Sequence, residues 1–288
     1  MKNTQEKKGI ILMLICATMW STAGLIFKFI NLSENSLYNG FAVAGMRSLF
    51  AAVAMYSGMR ILQKKVILTR QSIACGLLAA ATFICFVVSN QFTSAANAIV
   101  LQFTGPIFII IESYVFLHRK ASKLDVITSV VTFLGVGLFV IEGISGGSVF
   151  GNFIALLSGL FFGSTFLFVG EGDGDTRMSS LLIGHILTLV AGLPFLAFAE
   201  NGVSATSLLL LIYLGVFQLG IPYLLFAIAS EYCSALSLSL LSVVEPLLNP
   251  VWVAIFYGET PSATAIIGAV IVLGAVTARS VILSKKQL

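Results

Sequence analysis

Two stretches of this sequence share one pattern: residues 94–117, SAANAIVLQFTGPIFIIIESYVFL, and residues 234–257, SALSLSLLSVVEPLLNPVWVAIFY. Each begins with Ser-Ala and carries a proline twelve residues later, at Pro106 and Pro246, inside an otherwise apolar run. The match continues outward, because residues 19–22 (MWST) align with residues 161–164 (FFGS). The chain is therefore one hydrophobic unit of roughly 140 residues written twice. This predicts two repeats, residues 1–145 and 146–288, joined by the Gly- and Ser-rich segment from Glu142 to Val149.

Composition indicates a membrane protein. Apolar residues make up 58% of the 288 residues and charged residues 10%, whereas a soluble domain carries about 25% charged residues. The chain has room for about ten helices of ~20 residues with short connections. We therefore predict an all-α membrane protein with ten transmembrane helices as two inverted five-helix repeats around a central cavity. The predicted spans are residues 10–29, 38–58, 73–91, 96–117, 124–141, 151–169, 179–199, 207–229, 234–257 and 262–283.

The distribution of basic residues predicts the orientation. With a cytoplasmic N-terminus, no external loop carries Lys or Arg, and the two basic residues outside the cytoplasmic segments, Lys28 and Arg47, fall within or at the end of a span. The net charge of +4 follows from this topology and does not indicate a nucleic-acid partner. We expect a multi-pass protein of the cytoplasmic membrane, embedded in the lipid bilayer, with both termini cytoplasmic. The cytoplasmic basic residues would be Lys2, Lys7, Lys8, Arg60, Lys64, Lys65, Arg70, Arg119, Lys120, Lys123, Arg177, Arg279, Lys285 and Lys286.

Several short motifs resemble the EamA family of the drug/metabolite transporter superfamily, over essentially the whole chain. The resemblance implies a ten-helix fold of two inverted repeats around a central cavity, and transport of small organic metabolites such as amino acids, amines or related solutes. One position departs from the family: His118-Arg119 replaces the glutamate that such proteins often carry after the fourth span. The residues that carry the resemblance are Trp20-Ser21, Gly45-Met46-Arg47-Ser48-Leu49, Gly105-Pro106, Glu245-Pro246 and Tyr257-Gly258-Glu259.

Four ionisable residues inside predicted spans are candidate functional groups, because a charge in hydrocarbon costs several kcal/mol. Glu245 lies near the middle of its span and is predicted to line the cavity; the alternative is a packing role, protonated or paired with Arg47. Arg47 is a candidate for a substrate carboxylate, an ion pair or a helix cap. Glu112 can reach toward Arg119 or the membrane–water interface. His185 is a candidate proton relay or a packing residue.

Polar and aromatic side chains complete the predicted substrate site. Ser242, Glu245, Asn249 and Trp252 are spaced three, four and three residues apart, which places them on one helix face. Trp20 and Phe162 occupy equivalent repeat positions and suggest two cavity walls. Helix kinks are expected at Pro106, Pro222, Pro246 and Pro250. The predicted substrate-binding set is Trp20, Ser21, Phe162, Ser164, Tyr223, Ser242, Glu245, Asn249 and Trp252.

The sequence favours a secondary transporter that moves a small-molecule substrate by alternating access. It contains no catalytic constellation and no phosphate-binding loop, so ATP is not expected to drive it directly. The two histidines and four separated cysteines predict neither a metal site nor a cofactor. We expect export, with possible proton coupling through Glu245. A passive channel, a membrane-embedded lipid-modifying enzyme and a non-transporting scaffold are the alternatives, and the sequence leaves monomer or homodimer open.

Overall fold

The structure is a computed structural model, and it describes residues 2–23, 26, 29–93, 95–140, 148–200, 202–257 and 263–285. Lys28, most of the predicted junction from Glu142 onward, Glu259 and Lys286 lie outside the described residues. The backbone at positions 249 and 250 is described, but the side chains of Asn249 and Pro250 are not.

Every regular element in the described ranges is a helix. In the first half these are α1 (Lys2–Trp20), α2 (Ser36–Ile61), α3 (Arg70–Phe92), α4 (Ala95–Gln102), α5 (Gly105–Leu117) and α6 (Lys123–Val140). In the second half they are α7 (Val149–Gly170), α8 (Gly174–Leu196), α9 (Ala205–Tyr213), a π-helix (Leu214–Gly220), α10 (Ile221–Ala229), α11 (Ala235–Leu241), α12 (Val244–Tyr257) and α13 (Ala263–Lys285).

Seven helices of the described chain are long and apolar enough to cross a membrane. This confirms the predicted class, an all-helical membrane protein, while ten spans and their inverted arrangement stay predictions. The first predicted span differs most from the observed helix, because α1 begins at Lys2 and includes the Lys, Gln and Glu residues before position 10, all good helix formers. The seven are Ser36–Ile61, Arg70–Phe92, Asn97–Leu117, Val149–Gly170, Gly174–Leu196, Ala205–Ala229 and Ile266–Leu283.

Two helices are interrupted at equivalent places in the two halves. Phe103-Thr104 separates α4 from α5, and Ser242-Val243 separates α11 from α12. Each interruption lies two to four residues before a proline, Pro106 or Pro246, which has no N–H to donate to the carbonyl four residues earlier. The π-helix ends just before Pro222, while α12 continues through position 250 without interruption. Pro194, which the sequence analysis did not single out, lies inside α8.

The helices of the two halves interleave. The extensive contacts join α2 to α8, α3 to α7 and α8, α1 to α10, and α6 to α13, each pair combining one helix from each half. The α4–α5 interruption packs on Gly159 and Gly163 of α7, where a Cβ at Gly159 would lie 2.5 Å from the Leu101 carbonyl oxygen and one at Gly163 2.7 Å from that of Gly105. Small residues at this spacing let two helix backbones approach closely.

Loops rich in basic residues meet at one end of the bundle, which we call the basic end. Arg119 pairs with Glu171, Arg177 with Glu231 and Arg279 with Asp125. At the opposite end the Ser33 hydroxyl and the Glu34 N–H both donate to the Glu200 carboxylate, at 3.3 Å. Between the two ends, a core of aromatic rings packs around Trp20, where the irregular points of several helices meet.

Candidate functional site

A small cavity lies at the centre of the bundle, and we call it the central cavity. Its volume is about 30 Å³, which is room for about two water molecules. Several lining residues stand at irregular points: Trp20 ends α1, Gln102 ends α4, Gln218 lies in the π-helix, and Glu245 follows the α11–α12 interruption. The lining residues are Trp20, Arg47, Thr82, Phe83, Phe86, Gln102, Phe162, Gln218, Leu219, Tyr223 and Glu245.

Aromatic rings form one side of the central cavity. The ring centroid of Trp20 lies 5.1 Å from that of Tyr223 and 6.2 Å from that of Phe162. Phe83 lies 4.9 Å from Tyr223 in an edge-to-face arrangement. Each such pair adds about 0.5–1.5 kcal/mol beyond the area it buries. The predicted pair of walls, Trp20 and Phe162, therefore lies on one continuous aromatic surface rather than on two separate ones.

One basic and one acidic side chain line the same cavity. Arg47 is 1% exposed, and its Nη2 donates to the Phe83 carbonyl oxygen at 3.4 Å. Glu245 lies in the first turn of α12. Arg47 and Glu245 are not among the ion pairs of the described residues, in which the nitrogen and oxygen atoms lie within 4.0 Å of each other. A guanidinium group and a carboxyl group thus face one small space from different helices without pairing with each other.

Two further polar atoms at this cavity have no hydrogen-bond partner among the described residues: Trp20 Nε1 and Gln218 Oε1. The Gln218 amide nitrogen donates to the Trp20 carbonyl oxygen at 3.5 Å, and the Gln102 amide nitrogen donates to Ser158 Oγ at 3.1 Å. A buried donor or acceptor without a partner costs about 1–3 kcal/mol. The cavity therefore offers one free donor and one free acceptor to whatever occupies it.

His185 packs beside the cavity and is not among its lining residues. Its ring is fully buried and stacks on Phe83 with centroids 4.4 Å apart, and it lies 5.6 Å from Tyr223 edge to face. Neither ring nitrogen has a hydrogen-bond partner in the described chain. This environment is that of an aromatic packing residue.

Three further members of the predicted binding set, Ser21, Ser164 and Trp252, form hydrogen bonds that lie outside the cavity and join the two halves. Trp252 Nε1 donates to Ser21 Oγ at 2.8 Å. Ser164 Oγ lies 2.5 Å from Glu112 Oε1. Ser242 is fully buried, and its hydroxyl donates to the carbonyl oxygen of Ser239 within the α11–α12 interruption. Of the nine predicted binding residues, Trp20, Phe162, Tyr223 and Glu245 meet at the cavity.

The predicted binding set omitted the part of the cavity wall that α3 supplies. Thr82, Phe83 and Phe86 belong to a helix whose middle, residues 73–88, is apolar except for Thr82, so no polar stripe distinguishes the inner face. Thr82 Oγ1 lies 3.3 Å from Thr165 Oγ1 across the two halves. The one available signal was the repeat itself, because Phe83 lies 140 positions before Tyr223.

A second, larger cavity opens at the basic end, and we call it the vestibule. Its volume is about 390 Å³, within the range of small-molecule sites. Glu171 hydrogen-bonds to Arg119 and raises its pKa, and burial raises the pKa of the Cys233 thiol to about 11. The vestibule is lined by Ile109, Ile110, Ser113, Arg119, Lys120, Ala121, Asp125, Leu167, Gly170, Glu171, Cys233, Ser234, Ala235, Leu236 and Arg279.

The described residues contain no group of three or more His, Cys, Asp or Glu side chains placed to hold a metal ion.

Comparison with known proteins gives a consistent family. The model of the EamA-like transporter family matches residues 7–141 and again residues 149–280. The chain is 26% identical to an uncharacterized transporter of Clostridium kluyveri, over 93% of this chain and 91% of that protein. It is 24% identical to the uncharacterized inner membrane transporter YicL of Salmonella typhimurium, over 94% of each. A crystal structure with 13% identity shares the fold at a TM-score of 0.78, over 98% of this chain and 99% of that one.

Proposed function

Because this chain belongs to the EamA-like transporter family, we propose that it is a secondary transporter that exports a small organic solute by alternating access. The observation that carries this proposal is the central cavity, where Arg47, Glu245 and two unpartnered polar atoms face an aromatic surface. A polar, enclosed site at the meeting point of interrupted helices is how transporters hold a solute at mid-membrane.

The lining chemistry suggests the class of solute. Glu245 would bind a cationic or hydrogen-bond-donating group, and Arg47 an acidic one. Trp20 Nε1 and Gln218 Oε1 would each gain the hydrogen bond that they lack in this conformation. The Trp20 ring would contact an apolar or aromatic part of the solute, and Trp252 would support that wall through Ser21. Amino acids, amines and related compounds fit this arrangement.

Alternating access would have to enlarge the central cavity. At about 30 Å³ it holds water but not an organic solute, which needs about 300 Å³ or more. We propose that α4–α5 and α11–α12, with their neighbours, rock against the rest of the bundle. The helix interruptions before Pro106 and Pro246 supply places where the backbone direction can change.

We propose ten spans in two inverted repeats, residues 1–145 and 146–288. Two separate matches to one family model, the first ending at residue 141 and the second beginning at residue 149, support this division. So do the paired interruptions of α4–α5 and α11–α12. Each repeat would contribute one interrupted helix to the cavity.

We place the protein in the cytoplasmic membrane with the basic end inside. The clustering of Lys64, Arg119, Arg177 and Arg279 with their partners at one end supports this orientation, because basic loops favour the cytoplasmic side. The Salmonella relative is described as an inner membrane transporter, which agrees with this location.

Export would be driven by a proton entering in exchange for solute. A carboxyl group in the cavity can hold either a proton or a cationic group, but not both, and Glu245 is the acid that lines it. Solute and proton would then compete for one site, which is the requirement for exchange.

Reconstitution into liposomes with an imposed pH gradient tests this proposal, with a panel of amino acids and amines as solutes. We expect saturable transport that accumulates solute against its gradient. Glu245→Gln should lower the rate at least tenfold and remove its pH dependence, because the amide cannot exchange a proton. Glu200→Gln, at the opposite end from the vestibule, is the matched control and should transport as the wild type does.

Two results would contradict the proposal. Glu245→Gln that transports at the wild-type rate with the wild-type pH dependence would exclude Glu245 as the coupling group. Flux that never saturates and never exceeds equilibrium would indicate a passive channel instead.

A further inference from the structure

The contact between Glu112 on α5 and Ser164 on α7 joins the two halves of the chain inside the bundle. Glu112 Oε1 lies 2.5 Å from Ser164 Oγ, and the two residues are 8% and 4% exposed. Neither residue lines the central cavity. This buried acid is therefore separate from Glu245, both in its helix and in its surroundings.

Counting hydrogens at this contact indicates which group donates. Ser164 Oγ also lies 2.9 Å from the Leu160 carbonyl oxygen, one turn earlier in α7. A serine hydroxyl carries one hydrogen, and bonding to the carbonyl four residues back is its usual use inside a helix. The carbonyl of Leu160 can only accept. If the serine hydrogen is bonded there, the hydrogen between Ser164 Oγ and Glu112 Oε1 must come from the carboxyl group.

The surroundings of Glu112 contain nothing that would hold it as an anion. Its other oxygen, Oε2, has no hydrogen-bond partner in the described chain. The helices α7 and α11, which pack on α5, carry no titratable side chain in their described sequences. A buried carboxylate without a counter-ion is far more costly than a neutral carboxylic acid.

The other titratable and charged groups on α5, on α6 and just after α5 are either paired with another residue or exposed. On α6, which also packs on α5, Asp125 is paired with Arg279, and Lys123 begins the helix. On α5 and just after it, Tyr114 and His118 are exposed, and Arg119 is paired with Glu171. None of the ion pairs formed by the described residues includes Glu112.

We propose that Glu112 is a proton-binding site: in this conformation it is a neutral acid whose Oε1–H donates to Ser164 Oγ, and it releases its proton into the vestibule when α5 and α7 separate. Ile109 and Ser113, each within one turn of Glu112, line the vestibule, as does Leu167, one turn after Ser164. The proton passes from the carboxyl group to water in the vestibule, leaving a carboxylate that is then hydrated. Ser164 keeps its own hydrogen throughout.

The release step rests on the proposed alternating access, whereas the neutral state of Glu112 does not. The test therefore measures protonation directly, by infrared spectroscopy of the full-length protein in lipid bilayers at pH 7. We expect a carboxylic-acid carbonyl band that is lost in Glu112→Gln and kept in Glu245→Gln. Glutamine is the matched replacement, because its amide can donate to Ser164 Oγ as the acid does and should preserve the fold.

Ser164→Ala tests the hydrogen count. The Glu112 band should remain but shift to higher frequency, because the acid loses its acceptor. A wild-type spectrum at pH 7 that Glu112→Gln leaves unchanged would show that Glu112 is ionised and would overturn the proposal. A Glu112 band that does not move in Ser164→Ala would overturn the assigned donor. If the Glu112 band behaves as expected in both Glu112→Gln and Ser164→Ala while the liposomes show no transport, the proton site stands and the proposed function fails.

Discussion

The two interrupted helices, α4–α5 and α11–α12, share a frame but carry different chemistry. Both are interrupted two to four residues before a proline. In both, one side chain of the second segment bonds to a residue in or directly after the first helix of the other half. On α5 that side chain is Glu112, bonded to Ser164; on α12 it is Trp252, bonded to Ser21. The acid of α12, Glu245, instead faces the central cavity.

This difference bears on the proposed transport cycle. Two equivalent interrupted helices would present the same chemistry to a solute that approaches from either side of the membrane. Placing one acid at the cavity and the other beside the vestibule makes the two helices chemically unequal. Any coupling between proton and solute would depend on that inequality.

The largest expected effect tests how the first interruption is packed. Gly159→Ala would place a methyl group 2.5 Å from the Leu101 carbonyl oxygen, so backbone must move. We expect a loss of about 3 kcal/mol in unfolding free energy, the upper part of the usual range for overpacking. The equivalent position in α1 is already an alanine, Ala17, so the second interruption tolerates the methyl group.

Thermal unfolding in detergent measures this loss, with Gly170→Ala as the control. A Cβ at Gly170 meets nothing within 4 Å, so that variant should unfold close to the wild type. Equal midpoints for Gly159→Ala and Gly170→Ala would show that the interruption does not pack on α7 as described.

A smaller effect is expected where the basic end anchors each interrupted helix. Arg279 is 6% exposed, bonds twice to Asp125 Oδ1 at 2.8 and 2.9 Å, and donates to Ser237 Oγ of α11. Arg119, which follows α5, forms an exposed pair with Glu171. Arg279→Ala should cost about 2 kcal/mol, because Asp125 loses its partner in a mostly buried site.

Arg119→Ala serves as the comparison and should cost less than about 1 kcal/mol, as exposed ion pairs do. Unfolding at low and high salt separates the two, since only the exposed pair should weaken with ionic strength. Equal losses in the two variants would mean that the second interrupted helix is not held more firmly than the first.

The smallest expected effect concerns the bond from Trp252 to Ser21. Trp252→Phe keeps an aromatic ring but removes the donor, so we expect a loss of about 1 kcal/mol. Ser21→Ala should cost a similar amount, and the double variant no more than either single one. Additive losses in this double-mutant cycle would contradict the hydrogen bond.

The sequence was most informative about features that depend on the backbone chemistry of a single residue. Prolines at equivalent positions marked the helices that are interrupted, because a missing N–H acts locally. The stripe of Ser242, Glu245 and Trp252 was less informative, because the interruption at Ser242-Val243 ends the single helix that the spacing assumed. Only Glu245 of the three lines the cavity.

Contacts between helices could not be read from spacing along one of them. Glu112 was expected to reach toward Arg119 or the membrane interface, yet it contacts Ser164 from the other half, and Arg119 pairs with Glu171. Apart from the repeat that relates Phe83 to Tyr223, the aromatic residues of α3 gave no signal, since an apolar helix in a membrane has similar side chains on its inner and outer faces. Both outcomes depend on which helices are neighbours, and local sequence does not encode that.

The assignment of the central cavity as the transport site can be tested by solute-dependent thermal stabilisation. The solutes are amino acids, amines and aromatic cations, each at two pH values. A solute that binds the cavity should stabilise the wild type by about 2.7 kcal/mol at a hundredfold excess over Kd. We expect this shift to be lost in both Glu245→Gln and Trp20→Ala and kept in Glu112→Gln. A solute whose stabilising shift is unchanged in both cavity variants would contradict the assignment of the central cavity as the transport site.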